Sequence, residues 1–269
     1  MEKGALLGKG MTSEVYEWDH DKVLKLYFST FGEEWVAHEE KVGRIIYEAG
    51  VSAPAVYDRI ELDGRKGLVF ERIIGKSILK HLETEPWKIY EYARELARMH
   101  CRMHKHSANG LPTQKERFSY ILYRSAALLG NRIKRIMDYM DNLPDTSRVC
   151  HGDIHFNNVL VTSRGLIPVD WNSAYSGSPE SDVARTCLIM SSPSMPSGTK
   201  GAAAAMSMYV KGLTYWTYLN EYIMQSKTRY ENIDAWLLPV AAAKLKDKIS
   251  GEQKWLMDFV DKRLEKYKL

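Results

Sequence analysis

The chain is poor in cysteine, with Cys101, Cys150 and Cys187 the only thiols in 269 residues. Three cannot all pair, and no two stand in a close Cys-x-x-Cys arrangement, so reduced thiols in a cytoplasmic protein are the expectation. The opening segment, Met1 to Gly10, lacks the apolar core of a signal peptide, and no uninterrupted apolar run approaches membrane-spanning length. A cytoplasmic protein with no membrane partner is therefore expected. Charge of one sign is also scarce: 38 basic against 34 acidic residues leaves 38 − 34 = +4. The basic residues are scattered, which argues against a nucleic-acid surface. There are no internal repeats, heptads or low-complexity tracts beyond the brief Ala202–Ala205 run, and no pattern speaks to oligomeric state. What is present is an ordinary globular composition, 45% hydrophobic and 27% charged. It suffices for one large domain or two small ones with a substantial core.

The most informative stretch runs from Val149 to Val161. Two apolar runs flank the polar segment His151-Gly152-Asp153-Ile154-His155-Phe156-Asn157-Asn158, a pattern of strand, loop and strand. A further apolar strand, Leu166-Ile167-Pro168-Val169, delivers Asp170. Phosphoryl transfer to a hydroxyl needs such a set: one carboxylate for the hydroxyl, and an amide oxygen with a second carboxylate for the magnesium ions on the phosphates. Asp153 and Asn158 have the Asp-x4-Asn spacing of a kinase catalytic loop, and Asp170 follows at the distance of its metal-binding aspartate. Two other readings use the same residues. One is a structural loop whose polar groups satisfy one another; the other is a metallohydrolase with His151, Asp153 and His155 as alternating ligands.

The motif His151-Gly152-Asp153-Ile154-His155 to Asn158, with Val169-Asp170-Trp171, resembles the aminoglycoside phosphotransferase and choline kinase family. The resemblance implies an α+β, bilobal, protein-kinase-like fold: a small antiparallel-sheet lobe with one helix, then a larger mainly helical lobe. It implies a nucleotide lobe over residues 1–73, ending in a hinge, and a helical lobe over 74–269 with the catalytic loop and acceptor site. It further implies Asp153 as catalytic base, Mg²⁺ held by Asn158 and Asp170, and ATP or GTP as phosphoryl donor to a small-molecule hydroxyl.

The first third of the chain supports a nucleotide lobe. Three strands are expected at Ala5–Lys9, Glu14–Trp18 and Lys22–Tyr27. Between the first two, Gly8-Lys9-Gly10-Met11-Thr12-Ser13-Glu14-Val15 is rich in glycine, which lets a backbone fold over phosphates. Gly8, Gly10, Thr12 and Ser13 are the candidate phosphate contacts, with Ser13 standing where protein kinases have a third glycine. Lys25 sits amid apolar residues, where a charge needs a partner; by resemblance it contacts the α- and β-phosphates. In the helix expected over residues 31–48, Trp35, Val42 and Ile46 mark the buried stripe, and Glu39 falls on it. Glu39 is the chosen partner of Lys25, with Glu40 the alternative. Two more strands, 55–62 and 67–71, lead to a hinge-like Glu71-Arg72-Ile73, where the Glu71 carbonyl and Ile73 amide are assigned to adenine. Gly75-Lys76-Ser77 is rejected as a Walker loop because Phe70 stands where that motif needs glycine.

Downstream, a helix capped by Thr84 is expected to reach His104, followed by one long helix over 114–141. His100 and His104 share a face at zinc-like spacing, but Cys101 occupies the glutamate position of His-Glu-x-x-His, so packing is the expected role. His151 and Asp182 are read as residues that orient the catalytic loop, Asp182 also as a helix cap. Residues 191–199 read as a loop, and helices are expected over 201–225, 232–250 and 252–266, with Pro239 a kink or a start in the second. Tyr215, Trp216, Tyr218 and Tyr222 suggest an aromatic box, although their helical spacing favours core packing. Acidic residues in 201–269 are outnumbered by basic ones, which counts against an aminoglycoside acceptor. The alternatives are a protein kinase, disfavoured by Trp171 and the lack of a long activation segment, and a nucleotide-binding pseudokinase, disfavoured because Lys25, Asp153, Asn158 and Asp170 are all present.

Overall fold

The computed structural model of the chain describes residues 3–107, 109–195, 201–249 and 251–269. Strands β1 (Leu6–Lys9), β2 (Ser13–Asp19), β3 (Lys22–Tyr27), β4 (Val56–Leu62) and β5 (Arg65–Glu71) make an antiparallel sheet in the order β1-β2-β3-β5-β4. Side-chain alternation in β3 puts Leu24 and Leu26 into one small core with Val69. Lys25 and Tyr27 therefore project to the opposite face. That face is covered by α1 (Glu33–Glu48), whose Val36 packs with Tyr27 and Leu68. The buried stripe of α1 is Val36, Glu39, Val42, Gly43 and Ile46. Trp35, expected on it, is instead 39% exposed and lies against Phe31 with ring centroids 5.2 Å apart. Val36, one residue on, points inward in its place.

Beyond β5 the chain is mainly helical, and the whole is the expected α+β arrangement of an antiparallel N-terminal sheet and a larger helical part. The stretch Gly75-Lys76-Ser77 leads through β6 (Lys76–Ser77) into α2 (Ile78–Leu82), where the Ser77 hydroxyl accepts from the Lys80 amide at 3.2 Å. Thr84 does not cap the next helix: its hydroxyl donates to the His81 carbonyl at 3.1 Å and so closes α2. A 3-10 turn over Pro86–Lys88 then opens α3 (Ile89–Met103).

The single helix expected over 114–141 is three: α4 (Gln114–Arg124), α5 (Ala126–Leu129) and α6 (Arg132–Asp141). Thr113 and Glu116 cap α4 reciprocally. The breaks fall at Ser125 and at Gly130, which takes φ 55°. Phe118, Ile121, Leu122, Leu129 and Ile136 are nevertheless all buried, so the apolar period marks the correct side while glycine interrupts the backbone.

Short strands β7 (Arg148–Cys150), β8 (Val159–Thr162), β9 (Gly165–Pro168) and β10 (Tyr175–Gly177) follow, with β7 paired to β10 and β8 between β6 and β9. The chain closes with α7 (Pro179–Ser191), α8 (Gly201–Ser226), α9 (Tyr230–Lys244) and α10 (Glu252–Lys266). Residues 196–199 of the expected Ser- and Pro-rich loop lie outside the described residues. Pro239 lies inside α9, neither at its start nor at its end. That helix stops at Lys244, short of the expected 250, and gives way to a 3-10 turn at Leu245–Asp247; Ser250 lies outside the described residues. The largest core gathers α3, α4 and α6 to α10. Cys150 and Cys187 are buried and Cys101 half-buried; all three thiols are free. Burial pushes the Cys101 thiol up to about 12 and the other two up as well. Among the described residues no helix is long and apolar enough to cross a membrane.

Candidate active site

Sheet register arranges the first group of candidates. Gly8 pairs with Val15, Val15 with Lys25, and Lys25 with Leu68, so the glycine-rich turn and the lysine lie side by side across three strands. Gly10 N–H donates to the Ser13 carbonyl at 2.9 Å, and Phe28 N–H to the Thr12 carbonyl at 2.9 Å, which close the turn. Glu71 pairs with Lys22 at the far end of β3, and Ile73 follows directly beyond β5. The Glu71 carboxylate accepts from Arg164 at 2.9 Å.

Lys25 Nζ lies 2.5 Å from Glu39 Oε1 and 3.0 Å from Asp170 Oδ1. Glu39, and not Glu40, is therefore its partner; Glu40 turns outward to Arg44 and Arg59. Burial alone lowers the Lys25 ammonium's pKa, but the charges of Glu39 and Asp170 outweigh it and hold the group protonated well above its ordinary value. Asp170 is half exposed and sits at φ 65° in the left-handed region, a conformation aspartate tolerates better than branched residues.

The second group is the loop 151–158 between β7 and β8. Gly152 takes φ 78°, and a Cβ there would lie 2.3 Å from the Ser173 carbonyl oxygen, so only glycine fits. His151 Nε2–H donates to the Val169 carbonyl at 3.1 Å, and the ring packs on Trp171 with ring centroids 4.5 Å apart. Asn158 Nδ2 donates to the Asp153 carbonyl at 3.1 Å, and Val169 N–H to the Asn158 carbonyl at 2.9 Å. That second bond sets Asn158 beside the residue preceding Asp170. The Asp153 carboxylate receives Arg185 Nη2 at 2.9 Å and lies 3.7 Å from His155 Nε2. Burial would raise its pKa, but His155 and Arg185 together hold it well below the usual carboxylate range.

Asp182 is the anchor of this loop. It is fully buried near the start of α7, yet it caps nothing there; Ser178 is the cap residue. Its carboxylate instead accepts the amides of His151 (2.6 Å) and Gly152 (2.8 Å), with His100 Nε2 at 3.0 Å and His104 Nε2 at 3.3 Å. The other ring nitrogens face Tyr218 OH at 2.6 Å and Tyr222 OH at 2.8 Å. In this network each Nε2–H donates to Asp182 and each Nδ1 meets a tyrosine hydroxyl. The three residues have atoms within 4.8 Å of one another, but every ring nitrogen is already used, so they form a hydrogen-bond hub and not a metal centre. The aromatic run of α8 accordingly packs as core through Tyr218 and Tyr222, while Trp216 is exposed.

Burial, and then the neighbouring His100, lower His104 from 6.5 to about 4, against the pull of Asp182. The unfolded chain binds that proton first, so stability is whole above pH 6.5 and is lost as pH falls toward 4. The loss is expected to be on the order of 3 kcal/mol across that window. Urea unfolding at stepped pH checks it, and a His104→Gln variant should show a flatter dependence.

Sequence reasoning passes over Arg185, one residue beyond the segment that ends at Ala184. A usable signal existed: Arg185 stands three residues after Asp182 and shares its helical face. Arg185 also bonds Asp247 at 2.7 Å. Arg117 on α4 and Lys246 after α9 border the same cleft, and nothing in their sequence surroundings announces it.

Several solved structures share this architecture. A thermostable mutant of aminoglycoside phosphotransferase APH(4)-Ia matches 99% of this chain and 94% of its own, at 14% identity and TM-score 0.65. A putative fructosamine-3-kinase from Haemophilus somnus matches 97% and 90%, at 13% identity and TM-score 0.61. Aminoglycoside phosphotransferase APH(3'')-Id from Streptomyces rimosus matches 90% and 92%, at 15% identity and TM-score 0.58. At these identities the likeness is one of fold. Among curated proteins no sequence matches the chain. The sequence model of the phosphotransferase enzyme family, however, matches residues 4–217, a span that holds the glycine-rich turn, Lys25, the loop around Asp153 and the Asp182 hub. This chain belongs to the phosphotransferase enzyme family.

Proposed function

We propose that the protein transfers the terminal phosphoryl group of ATP or GTP to a hydroxyl of a small molecule. The observation that carries this reading is the convergence of Lys25, Glu39 and Asp170 within 3.0 Å contacts, next to a loop that presents Asp153 and Asn158. Residues 1–73 serve the nucleotide, and residues 74–269 serve the chemistry and the acceptor. The amides of the turn holding Gly8, Gly10, Thr12 and Ser13 cradle the phosphates, and Lys25, fixed by Glu39, neutralises them. The Glu71 carbonyl and Ile73 amide read the base.

Asp153 accepts and orients the acceptor hydroxyl. A carboxylate held at so low a pKa is a weak base, which suits a loose transition state that develops little charge on the attacking oxygen. Its part is therefore mainly positioning. Asn158 and Asp170 fit a magnesium site: their free donors are oxygens, Asp170 is half exposed, and the Asn158 amide nitrogen is already turned to a carbonyl. Magnesium held by Asn158 and Asp170 would supply positive charge to offset that of the phosphates.

Transfer is expected to depend wholly on the divalent ion. Product formation from ATP and an acceptor panel of sugars, amino alcohols and hydroxy acids should vanish with EDTA and return with added Mg²⁺. Turnover that survives chelation would overturn the assignment of Asn158 and Asp170.

A further inference from the structure

The cleft beside Asp153 has the wrong charge for a polycationic acceptor. It is a narrow cleft, open to solvent on one side, that brings together Gly152 of the loop, Phe118 and Arg117 of α4, Arg185 of α7, Val240 of α9 and Lys246 of the turn after it. Three cations thus line a cleft beside the loop that carries Asp153, whose carboxylate Arg185 contacts at 2.9 Å. Two carboxylates are near, Asp153 and Asp247, and both are occupied by Arg185, at 2.9 and 2.7 Å. The remaining contact of Asp247 is with Lys244 at 4.0 Å, not with Lys246.

Among the described residues the Arg117 guanidinium and Lys246 ammonium have no carboxylate within ion-pair distance, and buried Arg185 Nε lacks any hydrogen-bond partner. Surrounding protein, and then Arg117 and Arg185, push Lys246 down to about 8; burial lowers Arg117 too. Cations held close together, with the two nearby carboxylates already engaged by Arg185, raise one another's cost, and an anion between them lowers it. Phe118 and Val240 give the cleft an apolar wall, while Lys246 stands at its exposed edge.

We propose, building on the small-molecule kinase reading, that the acceptor is anionic: a hydroxyl compound whose carboxylate or phosphate group is held by Arg117 and Lys246, with Arg185 Nε turned toward it. The aromatic and aliphatic wall takes its carbon skeleton, and the hydroxyl meets Asp153. An aminoglycoside or a quaternary ammonium alcohol would place its charge against three like charges. The planar fork of Arg117 matches both carboxylate and phosphate, so these two sources are separated by experiment.

The full chain, saturated with Mg²⁺ and a non-hydrolysable ATP analogue, is titrated calorimetrically with a matched series: glycerol, glycerate, glycerol phosphate and aminopropanediol, with gluconate and kanamycin as larger members. At least one anion should bind ten-fold or more tightly than its neutral and cationic counterparts. Arg117→Gln and Lys246→Gln should each weaken it about ten-fold, with affinity for the nucleotide analogue and thermal midpoint unchanged. Preference for glycerate or gluconate over glycerol phosphate identifies a carboxylate subsite, and the reverse a phosphate subsite. Equal binding across the series, no anion binding, tighter binding of aminopropanediol or kanamycin, or anion binding indifferent to both substitutions overturns the proposal. The kinase reading fails separately: it falls if ATP with Mg²⁺ yields no transfer to any anion that binds. It stands, with the anionic acceptor rejected, if a cationic compound is phosphorylated.

Discussion

Asp153→Asn is expected to lower kcat by about a thousandfold, within the range usual for loss of a group that handles the acceptor proton. That corresponds to roughly 4 kcal/mol of transition-state stabilisation. The substitution suits the test because it changes little else. Asparagine keeps an oxygen for Arg185 Nη2, now 2.9 Å from the carboxylate, so the surrounding packing persists. The phosphate-facing group around Lys25 is not in contact with it, so KM for ATP should stay within about threefold, the signature of an interaction made only in the transition state. Steady-state kinetics with product identified by phosphorus NMR decides the matter. A variant retaining more than about a tenth of kcat would remove Asp153 from the role of meeting the acceptor, since general acid–base groups contribute more than that.

The largest effect on stability is expected at Asp182. Asp182→Ala leaves the buried amides of His151 and Gly152, and the Nε2–H groups of His100 and His104, without an acceptor. Breaking a buried charged network from one side costs about 3–5 kcal/mol. For a chain of this size that is a fall in Tm of roughly 10 °C, readable by calorimetry. Activity should fall further than the folded fraction accounts for, because the two orphaned amides belong to the loop that carries Asp153. A variant whose Tm and kcat both match the parent would show that the hub is dispensable.

The parts of the fold that were legible in the sequence are those fixed by local spacing. Asp153 to Asn158, Asp170 after a short strand, and Lys25 within an apolar strand are each specified by a few adjacent residues. Glu39 was readable because helical periodicity places it inward, whereas Trp35, equally in period, is displaced by its neighbour Val36. Periodicity reports a face to within about one residue, and packing chooses among adjacent side chains. The run 114–141 kept its apolar face through two breaks, so Gly130 was the only local clue to them. Thr84 resembled a helix start, yet its hydroxyl found the His81 carbonyl behind it. Serine and threonine bond backwards as readily as forwards, and sequence alone does not choose the direction.

The cationic cleft was not legible for a different reason. Arg117, Arg185 and Lys246 come from α4, α7 and the turn after α9, and each sits in a stretch that reads as ordinary helix surface. Their convergence is a tertiary fact. Counting charges over residues 201–269 hinted at a shortage of acids without finding where the cations gather.

The burial of Cys150 and Cys187 and the half-burial of Cys101 have a consequence for chemistry outside the site. A thiol acts as a nucleophile only when ionised, and a group whose pKa stands near 12, as at Cys101, is ionised at neutral pH in about one molecule in 100,000. Cys150 and Cys187 are shielded as well as suppressed. Toward peroxide and alkylating reagents the folded protein is therefore expected to react slowly, and at half-buried Cys101 before the other two. A single cysteine introduced on its surface would be the one that a thiol-directed label finds.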